Sequence, residues 1–286
     1  MRFPWRKYSK KELLDEYEKL SKKLKTMIVD INKLNLSKIG MKCSNFFFQY
    51  ERLKTPSQNK ISCFDFWRKD EDKIIQYYNK NERHSNDLFA TIVFMNHPSS
   101  QFSPLIAGQI YKYFDAKNIL DPYCGWGDRA LAAIALDINY TGIDSNNRLK
   151  PYYDKMIEYY PYKSNIEIIY DYCENIDINK IFFDIIFTSP PYWDEKSVLL
   201  EKYNNCENNY NAFMKKSLLP LINKALKKKN VWICINIPKF MYDDIAKQIR
   251  KCDKIIKFKT NINNKSLNHG KHKLNNIYCF SSYTTN

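Results

Sequence analysis

The sequence predicts an α/β protein built on a doubly wound, mostly parallel sheet. Three observations carry that prediction. From residue 101 onward, apolar runs of strand length alternate with helical segments. Several of these runs end in an acid, as Asn118-Ile-Leu120 does in Asp121 and Tyr140-Thr-Gly-Ile143 does in Asp144. The last two strand-like runs, 254–262 and 276–283, have only a polar stretch between them, which predicts an antiparallel hairpin at the sheet edge.

Ser9-Lys-Lys-Glu12 forms a capping box, and apolar residues at 13, 14, 17, 20, 24, 28 and 31 continue a helical period for about five turns. Residues 35–64 show no clear period, and Thr55-Pro-Ser-Gln-Asn-Lys60 reads as a loop. A helix is expected from near Asp65 through Tyr78, then an apolar element from Leu88 to Phe94 before the turn-like Asn96-His-Pro-Ser-Ser100. Ser103-Pro104 pairs an N-cap serine with a proline at the first helical position. Beyond Asp121 come a helix over 130–136, the strand 140–143, a helix around 151–160 and strands at 166–170 and 183–187. A helix over 210–226, a strand over 231–237 and a helix after Met241 complete the series. The division expected is a basic, mainly helical N-terminal extension over 1–100 and a sheet domain over 101–286.

The composition fits a folded protein inside a cell. It is 44% hydrophobic, with no run of about 18 apolar residues and no secretory signal at the start. The eight cysteines, at 43, 63, 124, 173, 206, 234, 252 and 279, have neither C-x-x-C spacing nor a nearby histidine pair. They read as free thiols in a reducing compartment, with no metal site. The net charge of +15 divides into +8 for residues 1–100 (20 basic, 12 acidic), −4 for 101–220 (12 and 16) and +11 for 221–286 (14 and 3). Basic flanks around an acidic centre suit a polyanionic partner, and Lys227-Lys-Lys229 is a natural probe of the basic tail. A low-GC genome, which would enrich Lys, Asn, Ile and Tyr, accounts for the same composition.

The loop Asp121-Pro122-Tyr-Cys-Gly125-Trp-Gly127 lies between a strand and a helix, where glycines let the backbone approach a ligand. Asp144 ends the next strand, 19 residues after Gly125, where a carboxylate can hold both hydroxyls of a ribose. The third glycine of a dinucleotide fingerprint is replaced by Ala130, which favours an adenosine cofactor without phosphate, such as S-adenosylmethionine. Asp171, after the third strand, is placed to reach an adenine amino group. Thr188-Ser189-Pro190-Pro191-Tyr192 follows an apolar strand at the carboxyl edge of the sheet.

Together, Phe102-Ser103-Pro104, the 121–128 loop, Asp144, Asp171 and Ser189-Pro-Pro-Tyr192 resemble the amino-methyltransferases that modify N6 of adenine or N4 of cytosine. The signature of that family is (D/N/S)-P-P-(Y/F/W). The resemblance spans residues 101–286, and the motif order is similar to the gamma-type arrangement. It implies a Rossmann-like methyltransferase sheet, S-adenosylmethionine as cofactor and no metal. It also implies cofactor contacts from Phe102, Ser103, Pro104, Asp121, Pro122, Gly125, Gly127, Asp144 and Asp171. Catalysis falls to Ser189, Pro190, Pro191 and Tyr192.

An exocyclic amine is a poor nucleophile because its lone pair is delocalised into the ring. The Ser189 hydroxyl and Pro190 carbonyl can accept its two hydrogens and localise that pair, while Tyr192 stacks on a flipped base. Attack by a thiolate, as in cytosine C5 methylation, is set aside because no cysteine follows a proline.

The implied partner is DNA rather than RNA, with no membrane. Ser189 places N4-cytosine slightly ahead of N6-adenine. An RNA base, a protein glutamine and a nonenzymatic nucleic-acid-binding role remain alternatives. Two features depart from the family pattern. Asp128-Arg129 stands where Ser or Thr is usual, and the short stretch after Tyr192 moves target recognition to residues 1–100, 196–209 or 263–275.

Overall fold

The computed structural model describes residues 2–57, 60–80, 87–193, 199, 209–257 and 276–283. The 263–275 loop and nearly all of 196–209 therefore lie outside the described residues.

Helix α1 (Lys10–Thr26) starts with the expected box: the Ser9 hydroxyl accepts from the Glu12 amide at 3.2 Å, and the Glu12 carboxylate accepts from the Ser9 amide at 2.7 Å. It stops before Ile28, which is 98% exposed. The Lys112 ammonium seals its end by donating to the carbonyls of Leu24 and Met27 at 2.6 and 2.7 Å. Helix α2 (Met41–Lys54) lies in the stretch that shows no period. It is buried on most sides, including Ser44, Asn45, Gln49 and Arg52, so no polar face is left to set a period. Helix α3 (Cys63–Lys80) kinks at Asp70, and α4 (Leu88–Asn96) is capped by Asp87.

The regular part then runs α5 (Pro104–Tyr113), β1 (Asn118–Asp121), α6 (Asp128–Leu136), β2 (Asn139–Ile143), α7 (Lys150–Tyr159), β3 (Ile166–Ile169) and β4 (Ile185–Thr188). Next, α8 (Tyr210–Phe213) passes through a π turn at Met214–Leu218 into α9 (Leu219–Leu226). The series ends with β5 (Trp232–Ile237), α10 (Lys239–Gln248), β6 (Lys254–Ile256) and β7 (Asn276–Ser281).

The strand order is β3-β2-β1-β4-β5-β7-β6. Strands β1 to β5 are parallel, and β7 is antiparallel to both β5 and β6. This is the Rossmann-like methyltransferase sheet the sequence predicts, with the later strand of the edge pair on the inside. Burial explains that placement. Residues 277–280 of β7 are at most 2% exposed, whereas Ile255 of β6 is 43% exposed.

One face of the sheet packs Ile119, Ile185, Phe187 and Cys234 against α1, α2, α5, α6 and α7. The other packs Leu120, Ile186, Ile233 and Ile235 against α8, α9 and α10. Tyr17, Leu20, Leu24 and Phe48 share the first of these cores, so the packing does not divide at residue 100. A separate cluster joins Phe3 and Leu53 to α3 and α4 through Trp67, Ile74, Phe89 and Ile92. Among the described residues no helix is long and apolar enough to cross a membrane.

Candidate active site

The chain winds outward from β1 to β3 and returns to the other side of β1 at β4. The carboxyl ends of β1 and β4 thus flank a switch point, where open α/β sheets form their ligand crevice.

Below that crevice lies Asp121, which is fully buried. Its carboxylate accepts from Arg129 Nε at 2.6 Å, Tyr140 Oη at 2.6 Å and Thr188 Oγ1 at 2.7 Å. These bonds tie β1, β2, β4 and the first turn of α6 together. Asp121 therefore supports the crevice floor. The departure at Arg129 acquires a reason, because its guanidinium neutralises Asp121 and lies 5.7 Å from the Phe102 ring.

The two loop glycines divide the work. Gly125 has φ 59°, and its amide donates to Asp144 Oδ2 at 2.8 Å. A Cβ at Gly125 would meet only the Tyr123 carbonyl oxygen, at 3.9 Å, so this side of the turn is open. Gly127 has φ 75°, but a Cβ there would lie 2.5 Å from Phe48 Cε2. On its Cα side Gly127 is thus packed closely against helix α2.

Asp144 is half-buried and also accepts from the Asn146 amide at 2.9 Å. Desolvation pushes its carboxyl up to about 6, against the opposing effect of those two amide donors. Asp171 is half-buried beyond β3, with Oδ1 taken by the Tyr172 amide at 2.7 Å and the Asn175 side chain at 2.8 Å.

Of the Phe102-Ser103-Pro104 segment, Ser103 caps α5, accepting from Ile106 and donating to the Ser37 carbonyl, each at 3.3 Å. Pro104 is buried at the helix start. Phe102 packs edge-on to Phe187 at the base of the Ser-Pro-Pro loop, with ring centroids 5.6 Å apart. Pro122 is buried in the turn after β1. Asp128 is 3% exposed and accepts from Ser44 and Gln101; burial pushes it up to about 7.

On the other side of the switch point, Thr188 is anchored to Asp121, and Trp193 is buried against Tyr210 and Phe213. Both ends of Ser189-Pro-Pro-Tyr192 are therefore held by packed residues. The parallel register pairs Thr188 with Ile235, which brings Ser189 level with Asn236 near the end of β5. Ser189 Oγ, Tyr192 Oη and Asn236 Oδ1 form one hydrogen-bonded group. Asn236 Nδ2 donates to the Asn276 carbonyl of β7 at 3.3 Å. The sequence reading missed Asn236; its one signal was a lone amide in the apolar run Trp232-Ile-Cys-Ile-Asn-Ile237.

Lys227 to Lys229 precede β5 at its amino end, a strand length of about 20 Å from this rim. Lys228 donates to the Ile181 carbonyl at 2.9 Å, so this run has a local structural use.

No family model and no curated protein matches the chain. Solved structures are found at low similarity. A candidate class I S-adenosylmethionine-dependent methyltransferase from Listeria monocytogenes is 14% identical over 96% of this chain and 88% of its own, with a TM-score of 0.45. A candidate methylase from Haemophilus influenzae is 13% identical over 61% and 84%, with a TM-score of 0.39. A tRNA (uracil-54, C5)-methyltransferase from Pyrococcus abyssi is 16% identical over 65% and 39%, with a TM-score of 0.36. At such distances a likeness speaks to fold at most, and function has to be read from this chain's own residues.

Proposed function

We propose that the chain is a methyltransferase that uses S-adenosylmethionine to methylate an exocyclic amino group of a nucleic-acid base. The observation that carries this reading is the pairing of two sites across the β1/β4 switch point. The Gly125–Asp144 clasp lies on one side and the anchored Ser189-Pro-Pro-Tyr192 loop on the other.

The clasp fits a ribose: Asp144 offers a carboxylate for two hydroxyls, and the open side of Gly125 leaves room for a flat ligand. The phosphate-free character of S-adenosylmethionine agrees with Ala130, which is fully buried where a dinucleotide site would need a third glycine. Bound there, the cofactor supplies a sulfonium methyl: the amine lone pair forms the N–C bond, the C–S pair passes to sulfur, and the amine's extra proton leaves to solvent.

The residues of the chain make the amine a better nucleophile. Ser189 Oγ and the Pro190 carbonyl accept the two amine hydrogens, which draws the lone pair out of the ring. Pro190 and Pro191 stiffen the loop, and Tyr192, tied by its hydroxyl to Asn236, walls the place where the base stacks. DNA is the favoured nucleic acid, and N4 of cytosine stands ahead of N6 of adenine on the resemblance at Ser189.

Ser189→Ala tests the assignment. It should lower turnover on DNA by about 10²-fold, the scale of one lost acceptor in a catalytic site, while affinity for S-adenosylhomocysteine stays within twofold. Wild-type turnover in this variant would remove Ser189 from the chemistry.

A further inference from the structure

Resting on that reading, we propose that Asn236 is the specificity-determining residue of the site: it commits Ser189 to accept a hydrogen bond, so that the site selects an amino group over a carbonyl.

Counting hydroxyl protons leads to this assignment. The Asn236 side-chain nitrogen faces the Asn276 carbonyl, an acceptor, at 3.3 Å, which turns the amide oxygen toward the two hydroxyls. Tyr192 donates its one proton to that oxygen. It then has none to give Ser189, so in the Ser189–Tyr192 contact the serine is the donor. The second contact of Ser189, to Asn236 Oδ1 at 3.4 Å, also requires the serine to donate. By either route the only Ser189 proton points inward, and the hydroxyl presents lone pairs to a substrate.

Unlike the aspartate of the (D/N/S)-P-P-Y set, a serine could otherwise turn and donate to a carbonyl. An aspartate cannot donate, whereas a free hydroxyl serves equally as donor or acceptor. Cytosine differs from uracil, and adenine from hypoxanthine, by an amine in place of a carbonyl at the reacting position. A carbonyl oxygen set against the Ser189 lone pairs leaves two buried acceptors facing each other, a mismatch that sites built for one polarity reject strongly. Asn236 acts through Ser189 and Tyr192, and the register of β5 with β4 and β7 fixes its place.

The test measures competition between oligonucleotides for the protein saturated with S-adenosylhomocysteine. One set carries cytosine and adenine; the matched set carries uracil and hypoxanthine at the same positions. The wild type should prefer the amino set by about tenfold or more. Asn236→Leu, close in size and apolar, frees the hydroxyl to rotate and should bring the preference within about twofold. Asn236→Asp keeps an acceptor oxygen and should retain the preference, which also covers the case of a leucine variant that folds poorly. In Tyr192→Phe the direct Ser189–Asn236 contact persists, so the preference should survive there too.

A leucine variant with the wild-type preference, or an aspartate variant that loses it, overturns the proposal. A wild type that methylates amino bases without preferring the amino set also overturns it while leaving the parent reading intact. Failure to methylate any nucleic acid, with S-adenosylhomocysteine still bound, removes both.

Discussion

The amide of Gly125 donates to Asp144 Oδ2 at 2.8 Å, joining the turn after β1 to the end of β2. Each end of this bond depends on the other. Gly125 holds φ 59° without side-chain strain, and the carboxylate it anchors is the one expected to meet the ribose. Replacing Asp144 with Ala should therefore weaken S-adenosylhomocysteine binding by roughly 2–3 kcal/mol, on the order of a hundredfold, by calorimetry. Wild-type affinity in Asp144→Ala would contradict the cofactor assignment.

The same bond predicts a pH dependence of binding. Burial holds the Asp144 proton up to about 6, and protonation removes acceptor capacity from the carboxylate. Affinity for S-adenosylhomocysteine should be level at pH 7–8 and fall as the pH drops through about 6. Asp144→Asn should bind weakly with no such fall. A flat wild-type profile from pH 8 to 5 would show that ionisation of Asp144 plays no part.

Gly127 should respond as a packing residue. An alanine Cβ there meets Phe48 at 2.5 Å with the backbone in the left-handed region, a combination that costs about 1–3 kcal/mol in unfolding free energy. Phe48→Leu in the same chain should recover part of that loss in urea unfolding. Additive losses in the double variant would mean that the two residues do not meet.

The buried pair of Asp121 and Arg129 should be intolerant of losing one partner. Arg129→Met strands a carboxylate that is fully buried, at a cost of about 3–5 kcal/mol. Equal unfolding midpoints for this variant and the wild type would refute the supporting role given to Asp121.

Asp128 carries a pH signature of its own. Burial raises its folded-state carboxyl to about 7, above the ordinary value of 3.8 in the unfolded chain. Folding therefore takes up a proton between about pH 4 and 7, and stability falls as pH rises through that window, then levels off. Asp128→Asn should flatten this slope in urea titrations at pH 5, 6, 7 and 8. An unchanged slope would assign it to other groups.

The sheet was legible because its strands are short apolar runs ending in turn residues, and because Ser9 and Ser103 announce their helices. Helix α2 was not, since a helix buried on most sides loses the period that marks one. At the site, Gly125, Asp144 and Ser189 could be picked out by residue type and place along the chain. What each one touches depends on partners distant in sequence. Gly127 packs on Phe48, Asp121 pairs with Arg129, and Asn236 reaches Ser189 across 47 positions.

The most direct measurement of the proposed activity is transfer of isotopically labelled methyl from S-adenosylmethionine to DNA and to RNA, followed by digestion to nucleosides and mass spectrometry. The predicted result is label in N4-methyldeoxycytidine or N6-methyldeoxyadenosine, present with wild-type protein and lost with Ser189→Ala. Label in N6-methyldeoxyadenosine alone would change only the choice of base, and label confined to amino groups of RNA would change the choice of nucleic acid. Label in 5-methylcytosine, or in protein alone, would contradict methyl transfer to a base amine.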